Sequence, residues 1–172
     1  AIAEDTDQVA EIGRWVLREA CEQGARWIEA GRRLRVSVNV SVQELGVSQL
    51  AVQTRNALTA SGFPASLLTI EITEGLLLEN SSDVRAQLGE LRELGVRVSV
   101  DDFGTGYASL SYIKHFPMDA VKIDREFVRD LHIDLDNAAI TSSIVALGRC
   151  LGLEVIAEGV EPEGEAEFLR SL

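Results

Sequence analysis

Cysteine, histidine, basic residues and long apolar runs are all scarce in this 172-residue chain, and each scarcity removes a class of protein. The two cysteines, Cys21 and Cys150, lie far apart in no CxxC spacing, each within a helical pattern. That excludes a disulfide framework, reads as two buried free thiols and fits a reducing cytoplasm, for the chain itself or as the cytoplasmic part of a membrane-tethered parent. His115 and His132 stand singly without metal-ligand spacing, which argues against zinc. Basic residues number 16 against 28 acidic ones, a formal charge of -12. So acidic a chain has no basic footprint for a DNA or RNA polymer, whose phosphates it would repel. Trp15, Trp27 and Phe127 read as helix-packing residues rather than base-stacking platforms. No apolar stretch approaches the ~20 residues that cross a bilayer and no signal-peptide pattern is present, so direct membrane insertion is not expected.

The remaining composition is that of one compact domain with a sizeable core over residues 1–172, since 46% of the residues are apolar and 26% charged. Five segments run from a hydrophobic strand into a polar or charged residue: Leu34 to Ser41, Leu67 to Glu74, Val96 to Val100 with the following Asp101, Ala120 to Asp124, and Leu153 to Glu158. Asn39, Glu71, Asp101, Lys122 and Glu158 fall on them in order, at intervals of about 20 to 36 residues that each hold a helical stretch. That spacing predicts βα units around a parallel sheet. Ser81-Ser82-Asp83 gives a cap signal for a helix with Val84, Leu88 and Leu91 on its apolar face and Gly95 closing it. Gly62 and Pro64 end the helix before it, and Gly152 ends one that starts near Asn137. Polar residues converging at strand ends are where an α/β barrel places its chemistry.

The segment Val100 to Asp124, VDDFGTGYASLSYIKHFPMDAVKID, carries the densest chemistry. Asp101 and Asp102 side by side at a strand end either raise one pKa or recruit a divalent ion, and carboxylate oxygens suit magnesium or manganese. The bland reading is an Asp pair that forms a turn and caps the next helix. Glu71, between apolar Ile70 and Ile72, needs a partner if it faces inward, whereas Asn39 reads equally as bonding a neighbouring backbone. Lys122 is one of two lysines and is flanked by Val121 and Ile123; its alternative role is a structural ion pair with Asp124 or another carboxylate. Glu158-Gly159 reads alternatively as a strand-terminal turn. The loop Phe103 to Leu110 contains GTG, yet neither a dinucleotide fingerprint nor a Walker lysine follows.

Taken together, SVNVS at Ser37 to Ser41, EITE at Glu71 to Glu74, the DDFGTGYASL segment through VKID, and AEGVE at Ala157 to Glu161 resemble the EAL domain, the bacterial cyclic di-GMP phosphodiesterase family. The opening helix, AEDTDQVAEIGRWVLREAC, is similar as well, so the resemblance covers nearly the whole chain. It implies a TIM-like (β/α) barrel and hydrolysis of cyclic di-GMP to the linear dinucleotide pGpG. Carried over residue by residue, it implies that Asn39, Glu71 and Asp101 ligate one Mg2+ or Mn2+ ion, with Asp102 and Asp101 serving a second. Lys122 would hold the attacking water or a phosphate oxygen, and Glu158 would lie near metal and water. Glu74 would anchor the loop after Asp102, Glu161 would be supporting, and that loop would order around substrate and couple the site to an oligomer contact. A homodimer, and regulatory or sensor domains elsewhere in the parent protein, are implied by the resemblance only.

The chain departs from the family at its ends. It starts on a helix and on alanine, where the family first supplies the strand with its Glu-Ala-Leu signature, and it stops in the helix after Pro162. About five to six barrel strands are therefore expected, as a fragment truncated at both ends. The absent signature glutamate keeps an alternative in view, an inactive module that binds cyclic di-GMP or a protein partner. Fold physics also admits another metal-dependent barrel enzyme acting on a small phosphorylated compound.

Overall fold

The computed structural model describes residues 8–41, 50–78, 82–105 and 116–172. His115, and the expected loop from residue 106 to Leu110, lie outside them. The chain forms two compact units, residues 1–72 with 79–98 and residues 73–78 with 99–172.

In the first unit, α1 (Gln8–Glu29) buries Leu17, Cys21 and Gly24, spaced for one helical face. That face meets β1 (Val36–Val40) and α2 (Leu50–Ser61). A side chain at Gly24 would meet the ring of Phe63 at 2.5 Å, so glycine is what admits this aromatic. Trp15, read from sequence as a packing residue, is exposed instead because it lies off that face. After Gly62, at φ +69, and a single 3-10 turn at Ala65–Leu67, β2 (Leu68–Thr73) pairs parallel to β1 with Asn39 opposite Glu71. β2 leads into α3 (Glu74–Leu78), which belongs to the second unit. Helix α4 (Ser82–Glu93) buries Val84, Leu88 and Leu91, the face its spacing predicts.

In the second unit, β3 (Arg97–Phe103, from Ser99 onward), β4 (Ala120–Ile123) and β5 (Glu154–Ala157) run parallel. β4 is followed by the short α5 (Arg125–Val128) and by α6 (Leu135–Leu151), and β5 by α7 (Glu163–Ser171). Val100, Val121 and Ile123 are fully or almost fully buried, each contributing about 1.5–3 kcal/mol on removal from water. Helix α6 packs against β4 and β5 and comes so close that a Cβ on Gly148 would lie 2.3 Å from the Val155 side chain. Its buried residues are Thr141, Ile144 and Gly148, and Cys150 falls outside that stripe. Hence only Cys21 is a buried thiol, pushed up to about 11 by burial and by Glu22, whereas Cys150 is exposed.

Several boundaries differ from the sequence reading, two of them for a visible reason. Asp134 caps α6 by accepting from Asp136 and Asn137 amides, so the helix starts at Leu135, two residues ahead of Asn137. β3 does not stop at Val100 but continues through Asp101 and Asp102 to Phe103, with a register break between Val100 and Phe103 and Asp102 at φ 53. A bulge of this kind carries a strand through residues of poor strand propensity and re-aims their side chains.

Candidate active site

Alternation along β4 sends Val121 and Ile123 to one face and Lys122 to the other, where in-register pairing sets β4 beside β3 and β5. The Lys122 ammonium Nζ lies 3.0 Å from Asp101 Oδ1 and 2.6 Å from Glu158 Oε1. Three successive strand ends thus deliver a carboxylate, an ammonium and a carboxylate to one point. The Glu158 amide donates to the Ile123 carbonyl at 3.2 Å, which holds the residue against the end of β4. Lys122 and Asp101 side chains are only 11% and 15% exposed and Glu158 is 38% exposed, so the cluster opens to solvent on the Glu158 side.

The sequence offered a structural ion pair of Lys122 with Asp124 or another carboxylate, and Lys122 does pair with two carboxylates, Asp101 and Glu158. The strand ends at Ile123, and Asp124 turns to cap α5, its Oδ1 accepting from the Glu126 amide at 2.7 Å. Its carboxylate also lies near that of Asp102. Loss of hydration together with the charges of Asp101, Asp124 and Glu158 raises the Asp102 pKa above the usual carboxylate range. Asp124 is the member of this neighbourhood that the sequence reading passed over as a site residue. Its one visible signal was an Asp between a strand and a charged helix start.

The turn after Asp102 is held from two sides. Thr105 donates to the Asp102 carbonyl through its hydroxyl at 2.8 Å, and the Gly104 amide donates to Glu74 Oε2 at 2.9 Å. Glu74 is buried at the start of α3. The Gly104 N–H is therefore directed to a side chain rather than left as part of a phosphate cradle. Glu161 pairs elsewhere than Lys122, with Arg125 Nη2 at 2.7 Å from its Oε1. In the first unit, Asn39 is exposed and Glu71 buried on in-register positions of β1 and β2, so both lie on the same sheet face.

These oxygens are of the kind hard divalent cations take, and the raised Asp102 carboxyl lacks enough positive charge around it. Among the described residues no three His, Cys, Asp or Glu side chains form a ready-made cation site. Within the second unit the Lys122 ammonium is the counter-charge that Asp101 and Glu158 share.

The EAL domain family model matches residues 1–172. The chain belongs to the EAL domain family. It is 43% identical over 172 residues to the bifunctional diguanylate cyclase/cyclic di-GMP phosphodiesterase MucR of Pseudomonas aeruginosa, covering 99% of this chain and 25% of that protein. Among solved structures, a PaMucR phosphodiesterase in complex with c-di-GMP superposes with TM-score 0.92 at 43% identity, over 99% of this chain and 69% of that one. Klebsiella pneumoniae BlrP1, in a manganese/cy-diGMP complex, superposes with TM-score 0.83 at 31% identity, over 94% of this chain and 41% of that one. The EAL fold carries with it the TIM-like α/β class that the strand–helix rhythm implies. The chain spans about a fifth to a quarter of the length of the curated relatives it matches. No helix among the described residues is long and apolar enough to cross a membrane.

Proposed function

We propose that this EAL domain hydrolyses cyclic di-GMP to pGpG, in the cytoplasm and as part of a longer signalling protein. The observation that carries the reading is the Lys122 ammonium set between Asp101 and Glu158 at the carboxyl ends of parallel strands. In the reaction, the oxygen of water bonds to phosphorus, the P–O3′ bond breaks, and the departing O3′ takes up a proton. Glu158, the most exposed of the three, accepts the proton of the water, a step that depends on hydrogen-bond reach and on a carboxylate left ionised. The adjacent ammonium of Lys122 holds the water or a phosphate oxygen beside that carboxylate. Glu74 fixes the turn after Asp102, and Glu161 supports the Glu158 loop through Arg125.

The resemblance assigns Mg2+ or Mn2+ ligation, with two ions, to Asn39 and Glu71 in the first unit and to Asp101 and Asp102 in the second, all of them oxygen donors of the kind such ions take, and Asp124 adds a carboxylate beside Asp102. Bound ions of that kind lower the pKa of water and neutralise charge at a phosphoryl centre. A second reading is binding of cyclic di-GMP without turnover. The two separate by following cyclic di-GMP chromatographically in magnesium with this chain, with a version extended at both ends, and with Glu158→Gln in each. The enzyme reading expects linear product that falls by about 10²–10⁴-fold in Glu158→Gln with folding intact. Ligand retained with no product from either length establishes the receptor reading, and turnover unchanged in Glu158→Gln removes this site.

A further inference from the structure

The EPEGEAE stretch that opens α7 reads as a solvated acidic run, yet Glu165 within it is among the most deeply buried side chains of the molecule. A buried carboxylate is costly unless hydrogen bonds replace its hydration. Both oxygens of Glu165 are so used, and both partners are main-chain amides: Asp130 donates to Oε1 at 2.8 Å and Glu161 donates to Oε2 at 3.1 Å. Charge-assisted bonds of this type are about twice as strong as neutral ones. The two amides belong to segments that flank the Lys122 cluster. Asp130, at φ 60, forms the turn that closes α5, and Glu161 ends the loop that begins at Glu158.

The Glu158–Glu161 loop is held at four points, one of them the Arg125–Glu161 ion pair. Its first amide bonds the Ile123 carbonyl, Arg125 lies over Gly159 so closely that a Cβ there would sit 2.5 Å from the Arg125 stem, and its last amide bonds Glu165. The first two ties come from the end of β4 and the start of α5; Glu165 ties the loop to α7 while gripping the far end of α5. We infer that Glu165 is a positioning residue, which fixes the Glu158 loop against the β4–α5 segment and so sets the Glu158 carboxylate on Lys122. The inference rests on the phosphodiesterase reading for its catalytic consequence, although the brace itself does not.

Glu165→Gln keeps the size of the side chain but puts an NH2 donor where one of the two amides needs an acceptor. In the extended domain this variant, compared with wild type and with Glu163→Gln on the exposed face of α7, should lower kcat about tenfold with KM and cyclic di-GMP stoichiometry unchanged. A 1 Å displacement of a catalytic group is enough for a loss of that order or more. Hydrogen exchange at the Glu161 and Asp130 amides should quicken in the same variant and stay unchanged in Glu163→Gln. Wild-type kcat, or a loss of kcat matched by an equal loss of binding stoichiometry, overturns the positioning role. Unchanged exchange at both amides overturns the brace. Absence of turnover in the wild type itself strikes the phosphodiesterase reading and the catalytic role together, while the exchange result still decides whether the brace exists.

Discussion

The same two segments of the second unit, the end of β4 with the start of α5 and the loop after β5, form two ion pairs whose members are three residues apart. Lys122 meets Glu158, and Arg125 meets Glu161. The inner lysine is 11% exposed and engages a second carboxylate, Asp101, whereas Arg125 and Glu161 are 63% and 68% exposed and pair only with each other among the ion pairs of the described residues. Chemistry of the partners is nearly alike, so the difference lies in hydration. An ammonium enclosed by strands keeps its position because leaving it would strand two carboxylates, and a pair in water is screened and worth little. One pairing thus sets geometry for a reaction, and the other only steadies the loop that carries it.

Removing the inner cation tests this difference with the largest effect. Lys122→Met keeps most of the side-chain length and leaves Asp101 and Glu158 facing each other without a counter-charge. Turnover should fall by about 10²–10³-fold or more, the order seen when one preorganised donor is lost from a site. Stability, from urea unfolding, should drop by about 1–3 kcal/mol, below the range for a fully buried pair because Glu158 reaches solvent. A variant as stable and as active as the wild type would place Lys122 among ordinary surface pairs and erase the contrast.

How much of this was legible in the sequence follows from the same residues. Hydrophobic β-branched runs marked the five strands; β2, β3 and β4 bury successive residues on both faces, whereas β1 alternates and β5 is only partly covered. Leu68–Thr73, Ala120–Ile123 and Glu154–Ala157 each fall within one residue of the expected segment at either end. Asp101, Lys122 and Glu158 stood out because each ends or interrupts such a run with a charge. The continuation of β3 through Asp101 and Asp102 did not, since it depends on a bulge and a positive φ that no local propensity announces. Asp124 and Glu165 escaped for a related reason. One sits where the strand stops alternating, and the other sits in an acidic stretch whose burial is decided by amides 35 and 4 residues away in sequence.

A smaller effect is expected at Asp102, the carboxyl whose pKa is raised by lost hydration and by its acidic neighbours. The native state then holds a proton that the unfolded chain has already released between the ordinary and the raised pKa. Stability of the metal-free chain therefore rises as pH falls through the raised folded pKa and is lost again as pH climbs above it, the reverse of a carboxylate in a salt bridge. Asp102→Asn removes the repulsion, and asparagine tolerates the left-handed backbone at φ 53. Because the side chain is largely exposed and screened, a rise in Tm of about 1–3 °C near neutral pH is expected, vanishing at acid pH. A Tm that falls at neutral pH would mean that Asp102 is favourably paired in the native state.

The outer pair should give the smallest response. In a double-mutant cycle of Arg125→Ala and Glu161→Ala, the coupling energy should be about 0.5 kcal/mol or less and should fade in 1 M salt, where the screening length is only ~3 Å. Arg125→Ala alone should cost somewhat more than Glu161→Ala, because its aliphatic stem also covers Gly159 and that packing is lost with the charge. The two costs separate by their salt dependence: the stem's share persists and the ion pair's does not. A coupling above about 1.5 kcal/mol that survives high salt would show the loop after β5 excluding water from Arg125 and Glu161 as the strands do from Lys122. Hydration would then no longer distinguish the two pairs, and Glu161 would belong with Glu158 as a group held in place by its partner's charge.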